Sequence, residues 1–271
     1  MLIRVFTVFF VLLSLLVHGQ SQSSTLSAES WLATITKEKN SKRGSDGSGF
    51  ALYFAPSGNI RQPYLVYVPV SYTPAKPMPV IIFLHGAILA RDSFQYKDPA
   101  IANEPIFSIA ESLKTIVVFP FARADFKWAG QSPAYENIIS IIKQVERDYD
   151  VDKNKVYIGG ISMGGIATFW FVNNHPEIFA GFYTFSAAPH SPDGEIKYSN
   201  ITKSKPLFSL NAKDDPVFSY SDMEAAYNKH KGDAPGWHHA TVDAGGHRFI
   251  YGKGGEAQVK SLLSNLLGDQ Q

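Results

Sequence analysis

Short, mostly apolar runs recur along the chain and are separated by polar or loop-forming residues. Four of them lie at residues 80–84 (VIIFL), 115–119 (TIVVF), 155–158 (KVYI) and 206–210 (PLFSL). Continuous runs of this kind predict strands covered on both faces, as in a parallel sheet with helices above and below. An earlier segment, residues 63–69 (PYLVYVP), alternates between outward and inward positions and predicts an antiparallel strand.

Helical periodicity appears between these strands. One side of a predicted helix carries apolar residues at spacings of four, three and four: Ile138, Ile142, Val145 and Tyr149. A similar side recurs near the end of the chain: Val259, Leu262, Leu263 and Leu266. Strands that alternate with such helices indicate βαβ units. We therefore predict an α/β fold with a mostly parallel central sheet and helices on both faces, in one domain over residues 49–271.

The N-terminal region differs from the rest of the chain. A basic start and an apolar run at residues 5–17 predict a signal peptide over residues 1–19, because the run is too short for a stable membrane span. An uncleaved N-terminal anchor is the alternative. Residues 20–48 are rich in Ser, Lys, Gly and Asp and predict a flexible segment, in which Trp31 and Ile35 suggest a short helix or docking element. The mature protein is expected to be secreted or periplasmic.

Composition narrows the partners and the chemistry. The 25 Lys and Arg residues balance 24 Asp and Glu residues, so no net field favours nucleic acid. The chain has no cysteine, which excludes disulfides, a thiol nucleophile and thiolate metal ligands. No His and carboxylate cluster shows metal-ligand spacing. We expect neither a metal nor a cofactor.

The pentapeptide at residues 160–164 (GISMG) has the pattern Gly-x-Ser-x-Gly. It follows the predicted strand at residues 155–158 and precedes an apolar stretch at residues 165–174 that suits a buried helix. A strand, a sharp turn and a helix are what a nucleophile elbow requires, and the pattern predicts Ser162 as the nucleophile. A glycine-rich connection without chemistry is the alternative reading.

A serine hydroxyl needs a general base, and an imidazole base needs an acid to orient it. Among eight histidines, His247 stands out because it follows a Gly–Gly pair beyond a predicted strand and precedes the last helix. Asp215, which also follows a predicted strand, is our predicted acid, with Asp214 and then Asp243 as alternatives. The resulting chain order of Ser162, acid and His247 is that of α/β hydrolases.

An oxyanion hole requires two backbone N–H donors near the nucleophile. We predict the N–H of Met163, which follows the nucleophile, and the N–H of Ala87, in the loop after the strand at residues 80–84. Ile88 is the alternative second donor. His85 is interpreted as a structural residue that holds this loop.

At these motifs the chain resembles secreted α/β hydrolases of the predicted-peptidase, polyhydroxybutyrate-depolymerase-like and feruloyl-esterase-like branches. The resemblance covers the chain from about residue 63 onwards. It rests on four stretches: residues 79–87 (PVIIFLHGA), 151–171 (VDKNKVYIGGISMGGIATFWF), 207–218 (LFSLNAKDDPVF) and 245–247 (GGH). It implies the α/β-hydrolase fold and cofactor-free hydrolysis of carboxylic esters, often acyl groups on plant polysaccharides or polyesters.

The sequence therefore predicts a secreted serine esterase that forms an acyl-enzyme with a small-molecule or polysaccharide-linked ester. Trp128, His190 and Trp237 are candidate substrate-binding residues. A serine peptidase on the same fold and a catalytically inactive binding protein are the alternatives. The oligomeric state is left open.

Overall fold

The computed structural model of the chain describes residues 26–36, 48–57, 59–128, 132–191 and 193–268. These residues contain an eight-stranded sheet: β1 (Gly49–Ser57), β2 (Ile60–Val68), β3 (Met78–Leu84), β4 (Ile116–Pro120), β5 (Val151–Ile161), β6 (Gly181–Phe185), β7 (Leu207–Ala212) and β8 (Trp237–Val242). The α-helices are α1 (Ala28–Thr36), α2 (Pro105–Leu113), α3 (Ser132–Asp148), α4 (Met163–Asn174), α5 (Tyr220–His230) and α6 (Gly255–Leu267).

The strands lie in the order β1-β2-β4-β3-β5-β6-β7-β8. Strand β1 pairs antiparallel with β2, and β2 pairs antiparallel with β4. All the remaining pairs are parallel. The predicted mostly parallel sheet with an antiparallel early strand is confirmed. Six parallel strands end at the same edge, so the loops that follow them are gathered there.

Helices cover both faces of the sheet, as predicted. Along β3, Ile82 and Leu84 belong to a core shared with α3, α4 and α5. The intervening Ile81 and Phe83 belong to a second core shared with α1, α2 and α6. Successive strand residues point to opposite faces, which explains why this strand is apolar throughout rather than at alternate positions.

Helix α1 lies inside the segment expected to be flexible, residues 20–48. Trp31 is fully buried, its ring packs edge-on against Phe50 with centroids 5.0 Å apart, and its indole N–H donates to the backbone carbonyl of Tyr96 at 2.8 Å. Residues 28–36 form the short helix that Trp31 and Ile35 suggest in the sequence, and these two residues lie one helical turn apart and bury a common side. The predicted signal peptide lies outside the described residues.

No helix within the described ranges is both long enough and apolar enough to cross a bilayer.

Candidate active site

Ser162 occupies a sharp turn between β5 and α4. Its backbone angles are φ 55° and ψ −117°, a strained conformation for a residue with a side chain. A Cβ atom added at Gly160 would lie 2.0 Å from the carbonyl oxygen of Leu84, and one added at Gly164 would lie 1.9 Å from the same atom. Only glycine allows strand and helix to come this close to β3, which is the physical reason for the Gly-x-Ser-x-Gly pattern.

Three side chains from separate loops meet at the carboxyl edge of the sheet. The Nε2 atom of His247 lies 2.8 Å from the Oγ atom of Ser162. The Nδ1 atom of His247 lies 2.9 Å and 3.1 Å from the two carboxylate oxygens of Asp215. Since the carboxylate accepts a hydrogen bond from Nδ1–H, Nε2 is left as an acceptor for the serine hydroxyl. The structure thus brings together Ser162, His247 and Asp215, which we call the hydrogen-bonded row.

The carboxylate of Asp215 is buried and accepts several hydrogen bonds. Its side chain is 0% exposed, and one oxygen accepts the backbone N–H groups of Val217 at 2.8 Å and Phe218 at 3.1 Å. Burial alone would raise the pKa of Asp215, but the hydrogen bonds from His247, Val217 and Phe218 outweigh it and lower the pKa below its ordinary value. Asp215 is therefore ionised beside the imidazole.

The other two candidate acids have different roles. Asp214 accepts the backbone N–H groups of Gly245 at 3.1 Å and Gly246 at 2.8 Å, and these bonds lower its pKa. Both glycines have positive φ, 127° and 61°, so this turn is one that larger residues resist. Asp243 is exposed and pairs with Lys213 at 2.7 Å. Asp214 thus stabilises the turn before His247. This contact was not predicted from the sequence, although both partners belong to motifs that stood out there, Asp–Asp and Gly–Gly–His.

The two residues predicted to supply oxyanion donors, Met163 and Ala87, each begin a helical segment. Met163 is the first residue of α4, where helical N–H groups have no partner inside the helix. Ala87 opens a short 3-10 turn, so its N–H has no partner inside that turn. A Cβ atom added at Gly86 would lie 3.5 Å from the Cβ atom of Ser162, which places the loop before Ala87 against Ser162.

His85 fixes the orientation of the loop. Its Nε2 atom accepts the backbone N–H of Ala122 at 2.9 Å, so Nδ1 carries the proton and donates to the Gly86 carbonyl at 2.8 Å. The Gly86 carbonyl and the Ala87 N–H belong to one peptide group, and in a planar trans peptide they point in opposite directions. Fixing the carbonyl on His85 therefore aims the Ala87 N–H away from His85.

Burial of His85 leads to a prediction about acid stability. Complete burial lowers the pKa of His85 from 6.5 to about 4, although the bond with Gly86 opposes the shift. Between these values the unfolded chain binds a proton that the folded chain does not, so stability falls as the pH drops. Between pH 7 and pH 4.5, the free energy of unfolding measured in urea will fall by about 2–3 kcal/mol more for wild type than for His85→Gln. Stability curves that remain parallel for the two proteins would contradict this account.

The two tryptophans proposed as substrate contacts are corrected to core residues. Trp128 is fully buried and its indole N–H donates to the His85 carbonyl at 3.0 Å. Trp237 is buried at the start of β8, at the sheet edge opposite Ser162, and donates to the Oγ atom of Ser209 at 2.9 Å. In a chain this rich in aromatic residues, large rings fill the core before they line a surface.

His190 is exposed on the loop after β6, at the same edge of the sheet as Ser162. It lines a cavity of about 350 Å³ together with Lys229 and His230. None of the residues of the hydrogen-bonded row lines this cavity. The structure therefore does not link His190 to Ser162.

A second serine–histidine–carboxylate arrangement lies in the fold. The Oγ atom of Ser209 is 2.9 Å from Nδ1 of His239, and Nε2 of His239 is 3.4 Å from a carboxylate oxygen of Glu224. However, Ser209 is only 1% exposed and its oxygen accepts the indole N–H of Trp237. A substrate carbonyl has no access to this hydroxyl, so the arrangement is structural.

Within the described ranges, no group of three or more His, Asp or Glu side chains is arranged to hold a metal ion.

Comparison with known proteins supports the assignment of the fold. The model of the prolyl oligopeptidase family matches residues 124–191. A bifunctional acetylxylan esterase/xylanase from Neocallimastix patriciarum is 27% identical over 161 residues, which is 59% of this chain. The match covers 22% of that protein, so this chain corresponds to only a part of its relative.

Solved structures with the same fold are esterases and other serine hydrolases. An esterase from Thermogutta terrifontis with bound propionate superposes with a TM-score of 0.65 at 16% identity, over 82% of this chain and 94% of that one. A ferulic acid esterase gives 0.61 at 18% identity, over 81% of this chain and 96% of that one. A thermostable esterase gives 0.61 at 21% identity, over 83% of this chain and 62% of that one. The fold of this chain is the α/β-hydrolase fold, as the sequence predicted.

Proposed function

We propose that this protein is a serine hydrolase that cleaves carboxylic esters through an acyl-enzyme on Ser162. The observation that carries the proposal is the hydrogen-bonded row, in which Ser162, His247 and Asp215 are within bonding distance in the order the chemistry needs. The adjacent N–H groups of Met163 and Ala87 supply the second requirement, donors for an oxyanion.

In the proposed mechanism, Nε2 of His247 removes the Ser162 proton as Oγ attacks the ester carbonyl. The N–H groups of Met163 and Ala87 stabilise the tetrahedral oxyanion, each by about 3 kcal/mol. The imidazolium, stabilised by Asp215, then protonates the departing alkoxide. Water enters, gives its proton to His247 and attacks the acyl-enzyme, which releases the acid and restores Ser162.

The substrates are proposed to be acyl groups on polysaccharides. The similarity to an acetylxylan esterase/xylanase and to a ferulic acid esterase supports this choice, because both names specify acyl esters. A serine peptidase on the same fold is the second candidate, supported by the match to the prolyl oligopeptidase family over residues 124–191. A catalytically inactive binding protein is the remaining alternative.

Export from the cytoplasm is part of the proposal. It rests on the sequence of residues 1–19, where a basic start precedes an apolar run of signal-peptide length. A polysaccharide substrate outside the cell would require such a location.

The activity is tested on the purified wild-type protein with acetyl, butyryl and feruloyl esters, each with and without a sugar alcohol, and with a peptide p-nitroanilide as the amide counterpart. We expect turnover of esters, little or none of the amide, and covalent labelling of Ser162 by a fluorophosphonate probe. Faster cleavage of the amide than of every ester would favour the peptidase. A folded protein that neither labels nor turns over any substrate would favour the inactive alternative.

A further inference from the structure

We infer that Val217 and Phe218 form the alcohol side of the substrate site and bind the apolar face of a sugar ring. This inference rests on the proposed esterase function and specifies the leaving group. It assigns a role to two residues that lie directly after the carboxylate Asp215 in the sequence.

The stereochemistry of ester cleavage locates the leaving group. In the tetrahedral intermediate, the oxyanion faces the N–H groups of Met163 and Ala87, and the departing alcohol oxygen must face the proton on His247. The Phe218 ring lies against the His247 ring, with centroids 5.4 Å apart and planes at 50°. An aromatic ring beside the imidazole is therefore beside the alcohol rather than the oxyanion.

The backbone of both residues is held in place by the same carboxylate that contacts the imidazole. The backbone N–H groups of Val217 and Phe218 both donate to one oxygen of Asp215, at 2.8 Å and 3.1 Å. Their positions relative to His247 are thus fixed by hydrogen bonds rather than by loop packing alone. A prearranged surface of this kind loses little conformational freedom when a ligand binds.

This surface is apolar and open to solvent. Val217 is 59% exposed, and Phe218 is half-buried. In the part of the chain that the structure describes, five large hydrophobic residues are exposed, and of these Ile88 follows Ala87 and Val217 lies two residues after Asp215. Exposed apolar side chains beside a nucleophile suit a substrate with an apolar surface of its own.

A sugar ring fits this surface. One face of a pyranose presents C–H groups, which carry partial positive charge, and the face of an aromatic ring is negative. The hydroxyl groups of the sugar lie around the ring edge and remain in water. A small alkyl alcohol offers no such face and would gain little from Phe218.

The experiment compares two acetate esters, an O-acetylated methyl xyloside and ethyl acetate. Both give the same acetyl-enzyme, so any difference in kcat/KM between them arises in the acylation step, where the alcohol is still present. We expect Phe218→Leu to lower kcat/KM for the xyloside ester about tenfold, the scale of one aromatic contact, and for ethyl acetate less than about twofold. Phe218→Trp should retain the xyloside activity to within about twofold.

The matched control is Phe208→Leu, because the Phe208 ring also stacks on an imidazole, that of His238, with centroids 4.4 Å apart. Phe208 lies near the start of β7, away from the hydrogen-bonded row, and its loss should leave both esters unchanged. An equal fall for both esters in Phe218→Leu would show that the ring only supports His247 and would overturn the inference, while leaving the esterase proposal intact. A folded wild type that releases acetate from neither ester, cleaves none of the other esters and is not labelled by the fluorophosphonate would instead overturn the proposed function.

Discussion

Ser162→Ala will lower kcat for ester hydrolysis by about 10⁴-fold or more. The substitution removes the hydroxyl group that lies 2.8 Å from Nε2 of His247, while the proposed oxyanion donors, the N–H groups of Met163 and Ala87, remain. The residual rate therefore reflects oxyanion stabilisation and substrate binding alone. Turnover of a p-nitrophenyl ester measures the loss of kcat, and labelling by a fluorophosphonate independently measures the loss of the reactive hydroxyl.

The chain offers a matched control for this variant. Ser209 also hydrogen-bonds to an imidazole, but its hydroxyl is buried and accepts the Trp237 indole N–H. Ser209→Ala should lose up to about 1–3 kcal/mol of stability and keep its rate per folded molecule. Retention of most activity in Ser162→Ala, with loss in Ser209→Ala, would reassign the nucleophile.

Asp215→Asn is expected to reduce kcat by about 10⁴-fold without unfolding the site. The oxygen that accepts the Val217 and Phe218 N–H groups can be kept as the amide oxygen, so the turn survives. The amide NH₂ then faces Nδ1 of His247, where the carboxylate oxygen lies at 2.9 Å in the wild type. Donation to Nδ1 stabilises the tautomer with its proton on Nε2, which cannot accept the Ser162 proton.

This loss should be specific to the buried acid. Asp243→Asn removes an exposed carboxylate paired with Lys213 and should change kcat by less than about twofold. Steady-state kinetics over pH 6–9, with circular dichroism to verify folding, compares the two variants. Equal effects of both substitutions would argue that Asp215 contributes only through general electrostatics.

The elbow and the sheet were predictable from sequence because each depends on a local pattern. The apolar run before Ser162 makes β5 a covered strand, and the two glycines flanking Ser162 are required by the carbonyl of Leu84. The positions of Asp215 and His247 followed from the topology, since both come directly after parallel strands and so reach the same edge.

Other features depend on contacts between distant segments and were not predictable. Trp128 looks like a pocket residue in sequence, and only the folded chain shows its indole bonded to the His85 carbonyl. Trp31 lies in a polar segment, and its burial depends on Phe50 and Tyr96 far along the chain. Asp214 and Asp215 are chemically identical neighbours, and their separate tasks are decided by backbone direction.

The position of β8 at the edge of the sheet affects how the protein would lose its proposed activity when it begins to unfold. Among the described strands, β8 is paired on one side only, with β7, and the loop that follows it carries His247. Edge strands separate from a sheet more readily than central ones. Fraying of β8 would move His247 away, while Ser162, directly after the central strand β5, keeps its strained turn. The proposed activity would thus report on the integrity of an edge strand rather than on the survival of the turn at Ser162.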